Sequence, residues 1–558
     1  MNRRHFIITI LYSALLIAPA GCGRQPLVLS VSDKVERPTR SAVIFFVDGM
    51  DESRMNELLA EGRLPNIDKR FVKGGVRVSH AVSSLPAMTY PNTVSLFTGC
   101  FPGHHGIMGN QLFDRHRLTW IDYITLENYQ HVNRDFTQPT LYELLDDRFT
   151  VNVQCHTQRG VRHSFDNMIE TGPAWFLGWH IPVNQFVASC IEQLGTLAER
   201  VRQWPSVVTF YFPGLDAAGH AHGSHTDYYA KVFEDVDHQV GRVTNALESA
   251  GLQETSYLIL VTDHGHPRAS QAKSFDLAAW LCRTRGIRCR EGDVPGAGYS
   301  ERFAFLDKYD AMLVDGSHRR VAVFLRGESG WGENPSAERV VQFIDGQRAA
   351  DGPQAESCRI ADLPAVAFVC RSMDRDRVEV QSARGIAVVE RRLAGSTKEY
   401  RVVSAEGALA DVAADAVGLA QSPDLARFVG EGWHDSRQWL ANTAESSCPD
   451  FVPQIVEYFD SPRAGDLVIF TAQDWLLAGN GNGEHGSCLA EDMRIPMFFA
   501  GPELAGGASI EFGRLVDVMP TLLDLLGESD RLKRHPPIDG LSLAPQLRSA
   551  RPDETARP

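Results

Sequence analysis

The chain has 558 residues, of which 43% are hydrophobic and 22% charged, a composition typical of soluble globular proteins and long enough for more than one hydrophobic core. Its formal net charge of -15 argues against a nucleic-acid-binding surface. An anionic substrate would therefore need a local positive centre, and a bound metal ion would supply one.

The first 22 residues have the layout of an export signal. Arg3 and Arg4 precede an apolar run that is too short to span a bilayer comfortably. The segment RRHFI resembles a twin-arginine signal, and PAGC resembles a bacterial lipoprotein cleavage site with Cys22 as the lipidated residue. We predict a signal peptide over 1–22, a polar tether over 23–39, and a periplasmic protein that is either free or held to the membrane by a lipid anchor. Plain secretion and a retained anchor are the alternatives.

Continuous apolar runs recur along the chain, and several of them end in acidic residues. Each predicts a buried strand; the runs are SAVIFFVDG (41–49), SVVTFYFPGLD (206–216), YLILVTDHG (257–265), DLVIFTAQD (466–474) and IPMFFAGP (495–502). Amphipathic helical patterns lie between them, for example over 228–251, where Gly251 ends the helix. Alternating strands and helices predict an α/β fold, with a mainly parallel sheet sandwiched by helices.

The interval 270–460 has a different pattern. Residues 378–407 alternate apolar and polar side chains between glycine-containing turns, which predicts an antiparallel meander. We therefore predict an inserted α+β cap subdomain over 270–460, between two parts of a catalytic core at 40–269 and 461–547, and a disordered tail over 548–558. The alternative is that the insert makes no contact with the substrate.

Acidic and histidine residues cluster at the predicted strand ends, where parallel sheets bind their ligands. Asp and His are suitable ligands for zinc and similar cations. The candidate metal ligands are Asp48, Thr89, Asp216, His220, Asp263, His264 and His485. They suffice for two divalent ions. Seven oxygen and nitrogen ligands without cysteine suit Zn²⁺ and would also accept manganese or iron. Taken singly, a DHG triplet is more often a turn and an aspartate at a strand end is often a helix cap.

One threonine stands in an unusual setting, PAMTYPNTVSLFTGCFPGHHG (86–106). Pro86 and Pro91 bracket Thr89, and Asn92 follows directly. A threonine hydroxyl is a poor nucleophile at neutral pH, and coordination to a metal is one way to activate it. The alternative for Thr89 is a helix cap.

These motifs resemble the alkaline phosphatase superfamily, in its type I phosphodiesterase/nucleotide pyrophosphatase branch. VDGM, TYPNTVSLFTGCFPGHHGI, DAAGHAHG, TDHGH and GEHGSCLAEDMRIPMFFAGP follow the family's order, and the resemblance covers 41–265 and 466–545. It implies an exported, metal-dependent phosphohydrolase that cleaves phosphodiester or phosphoanhydride bonds of a phosphorylated small molecule.

The resemblance also implies individual roles. Thr89 would attack phosphorus and be briefly phosphorylated, and Asn92 would donate a hydrogen bond to a phosphoryl oxygen. One metal would be held by Asp48, Asp263, His264 and the Thr89 oxygen, and the other by Asp216, His220 and His485. For the remaining histidines we predict a structural role for His105, supporting or loop roles for His222 and His225, and no role for His104 and His266.

Related enzymes provide the alternative functions against which this prediction is compared. Sulfatases place Cys or Ser where Thr89 stands and an arginine where Thr93 stands, which argues against a sulfatase. Phosphomonoesterases of the superfamily use an arginine clamp, which is not evident near Thr89. Phosphonoacetate hydrolases share the threonine and both metal sites, and HGIMGNQLFD (105–114) fits them too, so they are the nearest rival. Phosphoethanolamine transferases usually carry membrane helices, which this sequence lacks. A metal-binding protein without turnover is the alternative from a different class.

Overall fold

The computed structural model describes residues 25–552, apart from 126, 167–170, 173, 176, 268–272, 347–358, 405–414, 420–421, 478 and 480–481. The predicted signal peptide, Cys22 and the last six residues of the predicted tail lie outside the described residues. Within the part of the chain that is described, no helix combines the length and the apolar composition that a bilayer span requires.

The described chain contains both strands and helices. The strands are β1 (Ser41–Val47), β2 (Gly75–Val82), β3 (Gln111–Asp114), β4 (Thr119–Asp122), β5 (Thr150–Val153), β6 (His163–Phe165), β7 (Val207–Phe212), β8 (Ser256–Val261), β9 (Lys273–Ser274), β10 (Cys289–Glu291), β11 (Ala311–Val314), β12 (Arg320–Leu325), β13 (Val366–Asp374), β14 (Arg377–Ser382), β15 (Gly385–Ala394), β16 (Thr397–Ser404), β17 (His434–Asp435), β18 (Leu467–Thr471), β19 (Trp475–Leu476), β20 (Met497–Ala500) and β21 (Ala508–Arg514). The α-helices are α1 (Glu52–Ala60), α2 (Pro65–Ile67), α3 (Thr89–Thr98), α4 (Pro102–His105), α5 (Val132–Asp135), α6 (Leu141–Leu144), α7 (His180–Val201), α8 (Gly214–His222), α9 (Asp227–Ser249), α10 (Leu277–Arg285), α11 (Tyr299–Leu306), α12 (Ala337–Asp345), α13 (Pro423–Gly430), α14 (Ser436–Thr443), α15 (Phe451–Tyr458), α16 (Ala490–Met493), α17 (Val518–Leu525) and α18 (Ala544–Ser549).

The first sheet has eight strands in the order β21-β2-β20-β8-β1-β7-β5-β6. Its neighbours pair in parallel except at β20, which runs antiparallel to β2 and β8. Side chains of β1 alternate between two cores: Phe45 packs on the side of α7 and α9, and Phe46 packs on the opposite side with α17. A strand covered on both faces must be apolar at every position, which explains the continuous run. The predicted α/β fold is confirmed.

The second sheet has nine strands in the order β10-β11-β12-β18-β13-β14-β15-β16-β17. Its pairs are antiparallel except β10–β11. Strands β14, β15 and β16 are consecutive antiparallel neighbours, so the meander predicted over 378–407 is confirmed as far as Ser404. Residues 405–407 lie outside the described chain.

One strand belongs to a different sheet from the one predicted. The run DLVIFTAQD forms β18, which lies between β12 and β13 in the second sheet and is antiparallel to both, so its assignment to the parallel sheet is wrong. Leu467 and Ile469 enter one core and Val468 and Phe470 another. A central antiparallel strand buried on both faces has the same continuous apolar pattern as a parallel one, so the pattern does not distinguish them. The second sheet therefore extends past residue 460, and the division into domains stays a prediction.

Candidate active site

The site lies at the carboxyl ends of three neighbouring strands of the first sheet. β1 pairs in parallel with β7 on one side and β8 on the other, so the residues that follow these strands meet at one edge. Asp48 follows β1 directly, and Asp263 and His264 follow β8 after one residue. Gly49 turns the chain with a φ of 64°, and a Cβ there would lie 2.8 Å from Asp216. Glycine thus allows the segments after β1 and β7 to approach each other.

The first cluster consists of Asp48, Asp263 and His264, with Thr89 beside it. His264 Nε2 lies 3.4 Å from Asp48 Oδ1, 3.3 Å from Asp263 Oδ2 and 3.3 Å from Thr89 Oγ1. Tyr211 donates its hydroxyl to Asp48 Oδ2, and the backbone N–H groups of Gly49 and His264 donate to Asp263 Oδ1. These bonds fix the carboxylates and leave Asp48 Oδ1 and Asp263 Oδ2 directed at His264.

The second cluster is formed around Asp216, in the first turn of α8. His220 is one helical turn further on, and its Nε2 lies 3.4 Å from Asp216 Oδ2. His485 comes from the loop after β19, and its Nε2 lies 3.7 Å from Asp216 Oδ1. The two clusters adjoin, because the rings of His264 and His485 stack with centroids 3.5 Å apart. All seven predicted ligands therefore come together.

Three of these histidines are oriented in the same way. The Nδ1 atom of His220 lies 2.8 Å from the Gly483 carbonyl, that of His264 2.9 Å from the Gly265 carbonyl, and that of His485 2.9 Å from the Ala87 carbonyl. A carbonyl oxygen only accepts, so each Nδ1 carries the proton and donates it. The Nε2 lone pairs are thereby directed toward the carboxylates, as in histidines that bind metals.

The buried negative charges of the site require compensation by cations. Asp48, Asp216 and Asp263 are buried, and Asp48 Oδ1, Asp216 Oδ1 and Asp263 Oδ2 have no hydrogen-bond partner. Burial raises the pKa of Asp48 well above its ordinary value, and the Asp263 and Asp216 charges raise it further. Unpaired carboxylates are costly to bury, and divalent cations between oxygen and imidazole ligands would compensate them. The donor set therefore fits two divalent metal ions.

His266 also belongs to this centre, contrary to the prediction that it has no role. It is fully buried, its Nε2 lies 3.7 Å from Asp216 Oδ1, and neither ring nitrogen has a hydrogen-bond partner. Cβ atoms at Gly219 and Gly483 would lie 2.3 Å and 2.5 Å from its ring, so the two glycines make room for it. The sequence signal was available, since His266 follows the DHG triplet directly.

Thr89 is the first residue of α3, and its hydroxyl does not cap the helix. The cap position is Met88, without a side-chain hydrogen bond, and Thr89 Oγ1 contacts His264 instead. This excludes the helix-cap alternative for the described structure. The amino end of a helix favours negative charge, which suits a phosphoryl group at this position.

Asn92 has a different role from the one predicted. Its side chain is fully buried, and its amide nitrogen lies 2.9 Å from the Pro86 carbonyl and 3.1 Å from the Ser84 and Met88 carbonyls. Those bonds hold the loop that precedes Thr89, so no amide hydrogen is left for a phosphoryl oxygen. The sequence could not separate this role from the predicted one, because an asparagine three residues after the nucleophile suits both.

Asn110 is the asparagine that faces the site. Its Oδ1 accepts the Tyr90 N–H at 3.0 Å, and the residue lines the same cavity as Thr89. With the carbonyl oxygen so engaged, the NH₂ group is the part of the side chain available to a ligand. Asn110 is part of the segment HGIMGNQLFD, but it is far from Thr89 in sequence, so the sequence did not indicate that the two residues line the same cavity.

A cavity of about 430 Å³ opens over both clusters. On one side its wall is largely aromatic and apolar, with Tyr90, Tyr129 and Trp175. Tyr90 stacks on His156 with centroids 4.4 Å apart. Burial lowers the pKa of His156 to about 3, so this ring is neutral. Among the described residues that line the cavity none is lysine or arginine, in agreement with the missing arginine clamp.

The other histidines lie outside the clusters. His105 is fully buried and its Nε2 lies 3.1 Å from the Ser95 hydroxyl, consistent with the predicted structural role. The rings of His222 and Tyr228 lie 4.4 Å apart and are tilted by 52°, and His225 contacts Asp51. His104 has a structural role that was not predicted, because three carboxylates surround it.

Comparison with known proteins agrees with the geometry. Residues 42–308 match the family model described as type I phosphodiesterase / nucleotide pyrophosphatase. The rat ectonucleotide pyrophosphatase/phosphodiesterase family member 1 is 24% identical over 320 residues, which cover 55% of this chain and 34% of the relative. The bis(5'-adenosyl)-triphosphatase enpp4 of Xenopus laevis is 26% identical over 250 residues, covering 44% and 52%. The ectonucleotide pyrophosphatase/phosphodiesterase 1 of Saccharomyces cerevisiae is 27% identical over 221 residues, covering 34% and 29%. The matched segments thus span between 29% and 52% of the length of these relatives.

Proposed function

Since residues 42–308 of this chain belong to the type I phosphodiesterase/nucleotide pyrophosphatase family, within the alkaline phosphatase superfamily, we propose that the protein is a metal-dependent phosphohydrolase. Its substrates would be phosphodiesters or phosphoanhydrides of small molecules. The observation that carries the proposal is the position of Thr89: its hydroxyl lies 3.3 Å from His264 Nε2, beside one ligand cluster and in the cavity that the other cluster also lines.

Two divalent cations, Zn²⁺ being the best match to the ligands, would lower the pKa of the Thr89 hydroxyl and stabilise charge on the phosphoryl and leaving oxygens. Asp48, Asp263 and His264 with Thr89 would hold one ion, and Asp216, His220 and His485 the other. His266 contacts Asp216 and would restrict its orientation.

Side chains of this protein then take part directly in the substitution at phosphorus. The Thr89 hydroxyl loses its proton to solvent, and its oxygen forms a bond to phosphorus while the bond to the leaving oxygen breaks and its electron pair goes to the leaving group. Asn110 would donate its NH₂ group to a phosphoryl oxygen. Attack of water on the phospho-threonine then releases the product and restores the Thr89 hydroxyl.

The cavity supports diesters or anhydrides over monoesters. A monoester carries a second negative charge at the reacting phosphorus, which favours an arginine clamp, and no arginine is among the described lining residues. The aromatic wall around Tyr90 offers space for an apolar or heteroaromatic group on the retained side of the substrate. Export through the first 22 residues is part of the proposal, with a periplasmic or lipid-anchored location.

The test is the hydrolysis of three substrates, each with and without chelator: bis-p-nitrophenyl phosphate, p-nitrophenyl phosphate and phosphonoacetate. We expect the diester to have the highest kcat/KM and the chelator to abolish activity. Cleavage confined to phosphonoacetate would show that the nearest rival is correct, and a clear monoester preference would contradict the substrate class. Lack of turnover in the zinc-loaded protein would favour a binding protein.

A further inference from the structure

One turn of the second sheet lies in the candidate active site. Residues Asp315–Arg319 join β11 to β12, and Gly316, Ser317 and His318 line the cavity with Thr89 and His485. A Cβ at Gly316 would lie 3.2 Å from Met88 Cε, and one at Gly486 would lie 2.4 Å from Ser317 Oγ. The turn therefore packs against the residue before the nucleophile and the residue after His485.

The turn is held in one conformation. The backbone N–H groups of Ser317 and His318 donate to Asp315 Oδ1, and His318 has a left-handed φ of 58°. At the base of the turn, Arg319 is fully buried and forms ion pairs with Glu491 and Asp492. Because both ends are fixed, the Ser317 and His318 side chains have a defined position in the cavity.

Both side chains offer a donor that the mechanism above does not use. Ser317 is 4% exposed and its Oγ has no hydrogen-bond partner. His318 donates Nδ1–H to Asp315 Oδ2, and this bond raises the pKa of His318 to about 8. Glu484 raises the same pKa and His220 lowers it, and Glu291 also lies within range of the His318 charge. In the protonated ring, Nε2 of His318 carries a proton that it can donate.

The position of the turn indicates which part of a substrate it meets. Thr89 stands beside the first cluster, and in a substitution at phosphorus the leaving group departs on the side opposite the attacking oxygen. The second cluster occupies the adjoining position, and His318 is close enough to Glu484 and His220 to interact with their charges. Ser317 also packs against Gly486, which follows His485, so the turn adjoins the second cluster and with it the leaving-group side.

We propose that Ser317 and His318 form a subsite for the leaving group that recognises a second phosphoryl group, so that phosphoanhydrides are preferred to diesters with an uncharged leaving moiety. The proposal rests on the proposed function and specifies its substrate class. When the anhydride bond breaks, its electron pair stays on the leaving phosphoryl oxygen, and no proton is needed because a phosphate bears that charge in water. The Ser317 O–H and the His318 Nε2–H donate to the non-bridging oxygens, which an aryl or alkyl leaving group lacks.

Two substrates with the same retained half test this subsite: bis(5'-adenosyl) triphosphate, whose leaving group is ADP, and the p-nitrophenyl ester of adenosine 5'-monophosphate. The variants are Ser317→Ala and His318→Asn, since asparagine tolerates a positive φ. Each should lower kcat/KM for the triphosphate by about ten- to a hundredfold and change kcat/KM for the aryl ester by about twofold or less. His116→Asn, at an exposed histidine outside the cavity, is the matched control and should change neither.

The outcomes separate the subsite from the function on which it depends. If each variant lowers both substrates by the same factor, the turn acts only on the structure of the site and the subsite is wrong. If the wild type cleaves both substrates and the variants leave the ratio unchanged, the subsite is wrong and the proposed function stands. If the wild type cleaves neither, both proposals are wrong. His318→Gln provides a second variant should His318→Asn not fold, judged by metal content and thermal unfolding.

Discussion

The two sheets contribute to the candidate active site in different ways. The first sheet supplies one ligand cluster entirely from residues that follow its central strands directly or after one residue. The second sheet contributes Ser317 and His318 from the turn between β11 and β12, and the loop after β19, which pairs with β9 in a separate two-stranded sheet, contributes His485. Residues at the ends of central strands are held more rigidly than residues on longer connections, so the first cluster is the more rigidly positioned of the two.

The exposure of the ligands differs between the two clusters. The side chains of Asp263 and His264 are 0% exposed, whereas that of His220 is 34% exposed. His485 is buried, but its orientation depends on one bond to Ala87, in the loop that leads to Thr89. The first cluster is therefore enclosed by the core, and the second is open to the cavity and joins segments from both regions.

The largest expected effect is at the nucleophile of the first region. Thr89→Ala should reduce kcat by about 10³-fold or more, because the covalent step is lost, and should leave the fold intact. Thr89→Ser should keep part of the activity. Thr98→Ala is the matched control: it lies on the same helix, and its hydroxyl only donates to the Val94 carbonyl. A Thr89→Ala enzyme with a near-normal rate would show that the nucleophile is elsewhere.

A second prediction compares the two clusters through metal content. Elemental analysis of the wild type should give about two metal ions per chain, and chelator should remove activity. His220→Ala should lose about one ion, and under graded chelation the wild type should release the ion of the second, more exposed cluster first. Asp263→Asn should lose the first-cluster ion. If His220→Ala keeps both ions, or if activity persists in fully stripped protein, the two-metal assignment fails.

Much of the first region could be predicted from sequence because its signals are local. Asp48, Asp263 and His264 directly follow or nearly follow an apolar run, and the sheet topology then brings the runs together. Asp216 and His220 are one helical turn apart in one motif, so their proximity follows from helix geometry. His485 was a candidate by its residue type and its glycine-containing setting, but its position depends on a loop that no periodicity describes.

The errors arise where a contact depends on distant parts of the chain. β18 was placed in the wrong sheet because burial on both faces gives the same pattern in either sheet. The contact with a phosphoryl oxygen was assigned to Asn92, whereas Asn110 is the asparagine that faces the site. The bonds of Asn92 to the Ser84, Pro86 and Met88 carbonyls are visible only in the folded loop. Ser317 and His318 lie in an interval without a recognisable motif, and only the hairpin between β11 and β12 brings them to the cavity.

The smallest expected effect concerns the connection between the two regions. His104, on α4, lies 2.7 Å from Asp539, and its Nε2 lies 2.8 Å from Glu457 on α15. Arg391 and Lys398, from the second sheet, pair with carboxylates of the same group. Burial alone would lower the pKa of His104, but Asp539 and the other two carboxylates around the ring raise it to about 11. The charged ring therefore joins the two regions without contacting the site.

This gives a pH dependence with a defined sign. A histidine whose folded pKa is about 11, against about 6.5 when unfolded, stabilises the fold fully below pH 6.5 and loses that contribution as the pH rises toward 11. Removing it by His104→Gln should cost about 2–3 kcal/mol of unfolding free energy at pH 6, because the surrounding carboxylates lose one positively charged partner, and progressively less at pH 8 and 10. Urea unfolding of wild type, His104→Gln and the exposed-site control His116→Gln at these three pH values measures the difference, with kcat expected to stay within about twofold. A cost that is the same at all three values would show that His104 contributes by packing and not by its charge.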